Sequence, residues 1–302
     1  MGGVVIHTLY IIGNGFDVAH GLHTNYWQFR EYLEDEDPVF LREFEGLYDK
    51  AVNRDLWSEF EMSMGKPNTK EMIGQSESAT EGMPSVDIRD HMDAYWEEQF
   101  GFITKLHNYV KDWIESVDTS SVPCKKKSLM DSDDVFFTFN YTDILERVYH
   151  IQKVLHIHGG VGRICNIAPI IGHCNKKGIQ QHRKWAKEAD EDDFEAEASV
   201  LDAVADYLEA IYKDTRERIL LNQSFFDGID KVNHIVILGW SAGDTDMPYL
   251  KEIIQKVDKN ARWTVYWYDE KAYKALTSAF YKEGITDKRV IEYIQAKEFW
   301  DE

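Results

Sequence analysis

Val4-Val5-Ile6-His7-Thr8-Leu9-Tyr10-Ile11-Ile12 is a nearly unbroken apolar run, rich in β-branched residues, that stops abruptly at Gly13-Asn14-Gly15. An interior strand of a parallel sheet is covered on both faces and reads as such a run, so this segment predicts a first strand. The same reasoning marks Val135 to Phe139, Val154 to Ile157, His234 to Leu238, Trp263 to Tyr268 and Val290 to Tyr293 as strands. Between the first two, the pattern is helical from about Tyr26 to Ile114. Ile103, Leu106, Val110 and Trp113 recur there at three-to-four spacing and share one helix face. Met64 to Val86 is rich in Gly, Ser, Pro and Thr without a sustained period, and it predicts a loop. Ile144, Leu145 and Val148 predict a short helix after the second strand. Leu201, Val204, Leu208, Ile211 and Ile219 predict one amphipathic helix further on.

Strands alternating with helical segments imply βαβ units and a mostly parallel sheet. The expected fold class is therefore α/β, a Rossmann-like, mostly parallel sheet with helical insertions forming a cap. We expect one domain over residues 1–302, with the insertions at approximately 26–130 and 175–230. No internal repeat is visible.

Composition narrows the function classes. The 302 residues carry a formal net charge of -20, which repels phosphate backbones and argues against general nucleic-acid binding through a basic face. The acidic stretch 188–197 reads most simply as a solvated face or helix start. Cys124, Cys165 and Cys174 are odd in number, widely spaced and in no C-x-x-C, as expected in a reducing compartment without a zinc ribbon. The first apolar run has no basic leader and ends in a glycine loop, and no stretch approaches the ~20 apolar residues of a membrane span. These features imply a cytoplasmic protein without a membrane partner.

The chemistry-bearing residues cluster at strand ends. Gly13-Asn14-Gly15 opens the loop after the first strand, where glycine permits close backbone approach and the following helix start, with Phe16, offers N–H groups to an anion. The third glycine of the dinucleotide fingerprint is absent, because Val18 holds that place. Asn140 follows the second strand and precedes a helix, where an asparagine taken alone reads first as an N-cap or turn residue. His156 and His158 project to one side of the third strand, and His158, before Gly159, is a general-base candidate. Gly239-Trp240-Ser241-Ala242-Gly243 matches a nucleophile elbow, yet the last histidine in the chain is His234, so the Ser-then-His order of that enzyme class cannot be completed. Ser241 remains a ligand contact, with Asp244 beside it. His156, His158, His173, Cys174, Asp244 and Asp246 have the chemistry of metal ligands but irregular spacing, and no metal is expected. In open α/β sheets ligands bind outside the carboxyl ends of the strands, so four strands ending in Gly, Asn, His or Ser point to one shared cleft for a nucleotide-type small molecule.

Taken in order, these segments resemble the AbiH family of bacterial abortive-infection proteins. The resemblance rests on Ile11-Ile12-Gly13-Asn14-Gly15-Phe16-Asp17, Ala19-His20-Gly21-Leu22 with Tyr26 and Phe29, and Leu56-Trp57-Ser58-Glu59-Phe60-Glu61. It continues through Phe139-Asn140-Tyr141-Thr142-Asp143-Ile144-Leu145-Glu146, His156-Ile157-His158-Gly159 and Leu238-Gly239-Trp240-Ser241. The order also looks like a distant form of the sirtuin pattern. That likeness implies NAD, as substrate or ligand, with Gly13 and Gly15 against the pyrophosphate, Asn140 near the nicotinamide ribose and His158 as base. Gly239 and Ser241 would line the adenosine side, and Asp17, where sirtuins carry serine, would steady the cation or a loop amide. The sirtuin arginine and four zinc cysteines have no counterpart here, which argues against protein deacylation. The implied activity is hydrolysis of NAD or a related nucleotide at the nicotinamide–ribose bond, in phage defence, with a homo-oligomer or a phage-derived trigger as further partners. The alternatives are a non-catalytic nucleotide sensor regulating a partner and a metal-dependent hydrolase.

Overall fold

The computed structural model describes residues 8–48, 53–101, 104–130, 132–162, 167–287 and 290–301. Val4 to His7, Ile103 and Cys165 lie outside the described residues. Six strands form one sheet: β1 (Thr8–Ile12), β2 (Val135–Thr138), β3 (Val154–His156), β4 (His234–Leu238), β5 (Arg262–Trp267) and β6 (Ile291–Gln295). Their order is β3-β2-β1-β4-β5-β6 and every pairing is parallel, with Tyr10 opposite both Phe136 and Val236. This confirms the Rossmann-like α/β class.

Both faces of the sheet are buried, and strand alternation explains how one run supplies two cores. Leu9 and Ile11 pack with Phe137, Ile235, Ile237 and Val265 on one face. Helices Gln223–Gly228, Met247–Lys256 and Glu270–Lys282 cover that face through Phe226, Tyr249, Ile253, Leu276 and Phe280. Ile12 turns to the other face and meets Phe16, Phe136, Leu238, Ile144, Leu145, Tyr149 and Phe299.

The chain divides into two compact units. One comprises Met1–Asn25, Lys111–Ile170 and Asp214–Glu302 and contains the sheet; the other comprises Tyr26–Val110 and Ile171–Lys213 and is helical. The two insertions, expected at about 26–130 and 175–230, correspond to the segments Tyr26–Val110 and Ile171–Lys213 of this second unit. Its interior holds Phe29, Phe40, Phe44, Trp57 and Phe60, with Trp57 and Phe60 stacked at 4.6 Å. Asn175 joins the insertions by donating to the Gly65 carbonyl at 2.8 Å. Among the described residues, no helix is long and apolar enough to cross a membrane.

Two local expectations need correction. The segment Met64 to Val86 is not a loop: Thr69–Ala79 is a helix and another begins at Ser85. Asn68 caps the first, its side chain accepting from the Glu71 N–H at 3.3 Å. The inward face carries Met72 and Ser76, and Ser76 accepts from the Trp96 indole at 3.1 Å. A face of small and polar residues leaves no apolar period to read. Likewise Leu201 to Ile219 is two helices, Glu195–Ala210 and Thr215–Leu221, because Asp214 caps a new start by accepting from Arg216 and Glu217.

Candidate functional site

The sheet order runs outward in opposite directions from the adjacent pair β1 and β4, which leaves a crevice at their carboxyl ends in folds of this kind. The loops that leave these two strands are in direct contact. Gly13 N–H donates to Leu238 O at 3.0 Å, Gly15 N–H to Gly239 O at 2.8 Å and Phe16 N–H to Gly13 O at 3.0 Å. A Cβ on Gly13 would stand 2.5 Å from Gly239 O, and one on Gly239 would stand 2.4 Å from Phe16 N. Gly239 also has φ +71°, where L side chains are strained. The glycines expected to admit a ligand therefore first admit one another. Those three amides are used inside the fold and are not open to an anion. Asn14 is held by Thr24, whose hydroxyl donates to its Oδ1 at 2.7 Å. The Phe16 side chain belongs to the core, with His20, Tyr149 and Trp300 around it.

Asn140 leaves β2 and turns its carboxamide back into this junction. Its Nδ2 donates to Gly13 O at 3.1 Å and to Asp17 Oδ1 at 2.8 Å. Thr142 Oγ1 donates to the other Asp17 oxygen at 2.7 Å. Both Nδ2 protons are thus assigned, while Asn140 Oδ1 is buried and accepts from no described residue. Burial pushes the Asp17 carboxyl up to about 7, against the pull of Thr142, Asn140 and the nearby His156 charge.

His156 stands behind Asn140. Its Nδ1 lies 3.0 Å from the Asn140 carbonyl and its Nε2 2.8 Å from Glu146 Oε1. Both partners are acceptors, so both ring nitrogens carry protons when the bonds are satisfied. Burial alone would lower its pKa, but the bond and charge of Glu146, the Asn140 carbonyl and Asp17 together raise it. The pair Glu146–His156 is a clamp on the backbone of Asn140.

His158 is placed differently from His156, because β3 ends at His156 and the alternation stops there. The residue is 3% exposed, and its ring packs 5.5 Å from Phe139 and 5.4 Å from Tyr249, measured between centroids. Nε2 lies 3.7 Å from Asp246 Oδ1, and Asp246 Oδ2 accepts from the Trp240 indole at 3.2 Å. Phe139 stacks on Trp240 at 5.8 Å, which links His158 to the β4 exit through aromatic rings. Gly159 turns the chain there with φ +71°. Ser241 and Asp244 lie exposed on the loop after β4, and neither bonds to another described residue.

The structure thus joins Asp17 and Asn140 directly and His158 through a packed wall, and it leaves Ser241 and Asp244 at the loop surface. The sequence reasoning missed Thr142 and Glu146 as members of the site, and it weighed Asp246 only as a metal ligand, not as the partner of His158 and Trp240. Thr142 and Glu146 were inside the quoted segment after Asn140, but only the fold reveals their partners Asp17 and His156. His173, in the helical unit, donates from Nε2 to Leu208 O at 2.9 Å and accepts the Asn175 N–H on Nδ1 at 2.9 Å. Its pKa, lowered to about 4 by burial, agrees with that neutral form. Among the described residues, no three His, Cys, Asp or Glu side chains are grouped around a common point.

Comparison with known families matches residues 9–267 to the family described as bacteriophage abortive infection AbiH. Neither the curated proteins nor the solved structures gave a match.

Proposed function

The chain belongs to the AbiH family of bacteriophage abortive-infection proteins, and from that premise we propose that it binds NAD or a related nucleotide where β1, β2 and β4 end. The observation that carries this reading is Asn140, a carboxamide fixed by Gly13 and Asp17 whose buried Oδ1 accepts nothing from the described protein. A ribose hydroxyl or an attacking water is the donor such an acceptor suits. Cleavage of the nicotinamide–ribose bond develops positive charge on the sugar, and the Asp17 carboxylate beside Asn140 would favour that charge. Ionisation of Asp17 near pH 7 fits it to this role at neutral pH. A proton taken up by His158 would be balanced by the Asp246 carboxylate 3.7 Å away.

A second reading, binding without turnover, is favoured by one observation. The His158 ring is enclosed by Phe139 and Tyr249, whereas a general base must meet its substrate or a bridging water. The two readings separate when pure protein is incubated with NAD. Nicotinamide release, lost in Asn140→Ala and in His158→Ala with folding intact, supports hydrolysis. A thermal shift with NAD or ADP-ribose but no product supports the sensor. No release and no shift refutes both.

A further inference from the structure

Four described arginines are half-buried: Arg30, Arg89, Arg183 and Arg218. The first three each meet at least two carboxylates. Arg30 pairs with Glu34 and Glu45, Arg89 with Asp93, Asp190 and Asp202, and Arg183 with Asp202, Asp206 and Glu209. Arg218 pairs with none among the described residues, in a chain with 54 acidic and 34 basic side chains. Among the described residues its guanidinium makes one hydrogen bond, from Nε to the Ile157 carbonyl at 3.2 Å. Its Nη2 is buried and donates to no described residue. A half-buried positive charge without a counterion is unfavourable unless an anion completes it.

The place of this charge gives it meaning. Ile157 directly follows β3, precedes His158 in sequence and donates its own N–H to Thr138 O at 3.2 Å, so Arg218, bonded to the Ile157 carbonyl, sits at the carboxyl end of β3. The side chain is aimed by its helix, Thr215–Leu221, which Asp214 caps at one end and Asn222 closes by donating to Arg218 O at 2.8 Å. A guanidinium presents a planar fork of donors that matches phosphate and carboxylate oxygens in pairs.

We propose that Arg218 is the phosphate-binding residue of this sheet edge and that its ligand class is a phosphate or diphosphate ester. The identification of the ester as a nucleotide rests on the function proposed above, whereas the anion seat itself does not. Arg218 supplies from outside the glycine loop the charge that the amides of Gly13, Gly15 and Phe16, already engaged in the fold, do not supply.

The test is calorimetric titration of the full chain with inorganic pyrophosphate, ADP-ribose and nicotinamide riboside, for wild type, Arg218→Gln and Arg218→Lys. Hydrogen bonds to a charged group are worth about 1.5–3 kcal/mol, or about 10- to 100-fold in affinity. Arg218→Gln is expected to weaken pyrophosphate and ADP-ribose by that factor and to leave the phosphate-free riboside within about twofold. Arg218→Lys should recover part of the loss, since it restores charge without the fork. Urea denaturation of each variant confirms folding. Pyrophosphate binding that is lost in Arg218→Gln supports the seat even if ADP-ribose fails to bind, an outcome that removes the nucleotide reading alone. Pyrophosphate that binds Arg218→Gln as well as wild type, or that fails to bind wild type, overturns the proposal.

Discussion

Asn140→Asp inverts the hydrogen-bond polarity at the centre of the site. In the native chain Nδ2 donates to Gly13 O and to Asp17 Oδ1 at 2.8 Å. The aspartate presents an acceptor to both. Leaving a buried acceptor unsatisfied costs about 1–3 kcal/mol, so two lost bonds cost about 2–6 kcal/mol before charge is considered. The two carboxylates would then face each other across the former hydrogen bond, an arrangement that retains a shared proton. Asp17 already ionises only near about 7, raised by burial. A second carboxylate raises the last proton of the pair further. A folded pKa above the unfolded value contributes stability that is full below the unfolded pKa and is lost as pH rises through the folded one. In wild type this loss is complete soon after pH 7, and the stability curve then flattens with respect to Asp17. In Asn140→Asp it continues beyond pH 7, at about 1.4 kcal/mol per pH unit, up to the raised value of the pair. Urea denaturation followed by tryptophan fluorescence at pH 6, 7, 8 and 9 reads both effects. Adding Asp17→Asn to the variant restores one carboxylate opposite one carboxamide and should flatten the curve again. Parallel stability curves for wild type and Asn140→Asp from pH 7 to 9 would show that the two side chains are not in contact.

Two further substitutions probe the surrounding frame. Gly239→Ala places a Cβ 2.4 Å from Phe16 N at φ +71°, and left-handed strain of about 1–2 kcal/mol plus overpacking of about 1–3 kcal/mol predicts a loss of about 2–5 kcal/mol by the same denaturation assay. A loss under about 0.5 kcal/mol would mean that the two loops are not packed as described. Glu146→Gln removes the charge that holds His156 protonated; because the His156 pKa is raised when folded, the variant's deficit should be largest below pH ~6.5 and shrink as pH rises through the native value. A deficit that does not change between pH 5.5 and 9 would separate the histidine from the carboxylate.

The sheet was legible because burial on both faces forces continuous apolar runs, and five of the six strands match those runs to within a residue or two. The first run's start lies outside the described residues. What was illegible follows from elements whose inward faces are small or polar. The helix Thr69–Ala79 buries Met72 and Ser76, a face with too little apolar content to show its period. The break between Ala210 and Thr215 rests on one capping aspartate, Asp214, within an apolar pattern that runs across it. At the site, residue type gave Asn140 and Asp17 but not their contact. A distance of 123 residues separates them in the chain, and only the parallel pairing of β1 with β2 brings their loops together. The contact made by these glycines was illegible for the same reason, since their partner is Gly239, contributed by β4 far along the chain.

These placements divide the motif residues by task. The glycines of the β1 and β4 exits bring two backbones within hydrogen-bond distance, and any side chain there would separate them. The polar work falls to a continuous series that crosses three strand exits: Glu146 holds His156, His156 holds the Asn140 backbone, and the Asn140 side chain holds Asp17, which Thr142 secures from its other oxygen. Each member except one acceptor at Asn140 and one at Glu146 has its partner within the series or its frame. A network satisfied in this way fixes the orientation of both open acceptors, and under the function proposed above it would hold the Asn140 carboxamide preorganised for a ligand. In this fold, then, the glycines of Gly-Asn-Gly-Phe-Asp set the distance between the strand exits, while its Asp17 holds the Asn140 carboxamide at their junction.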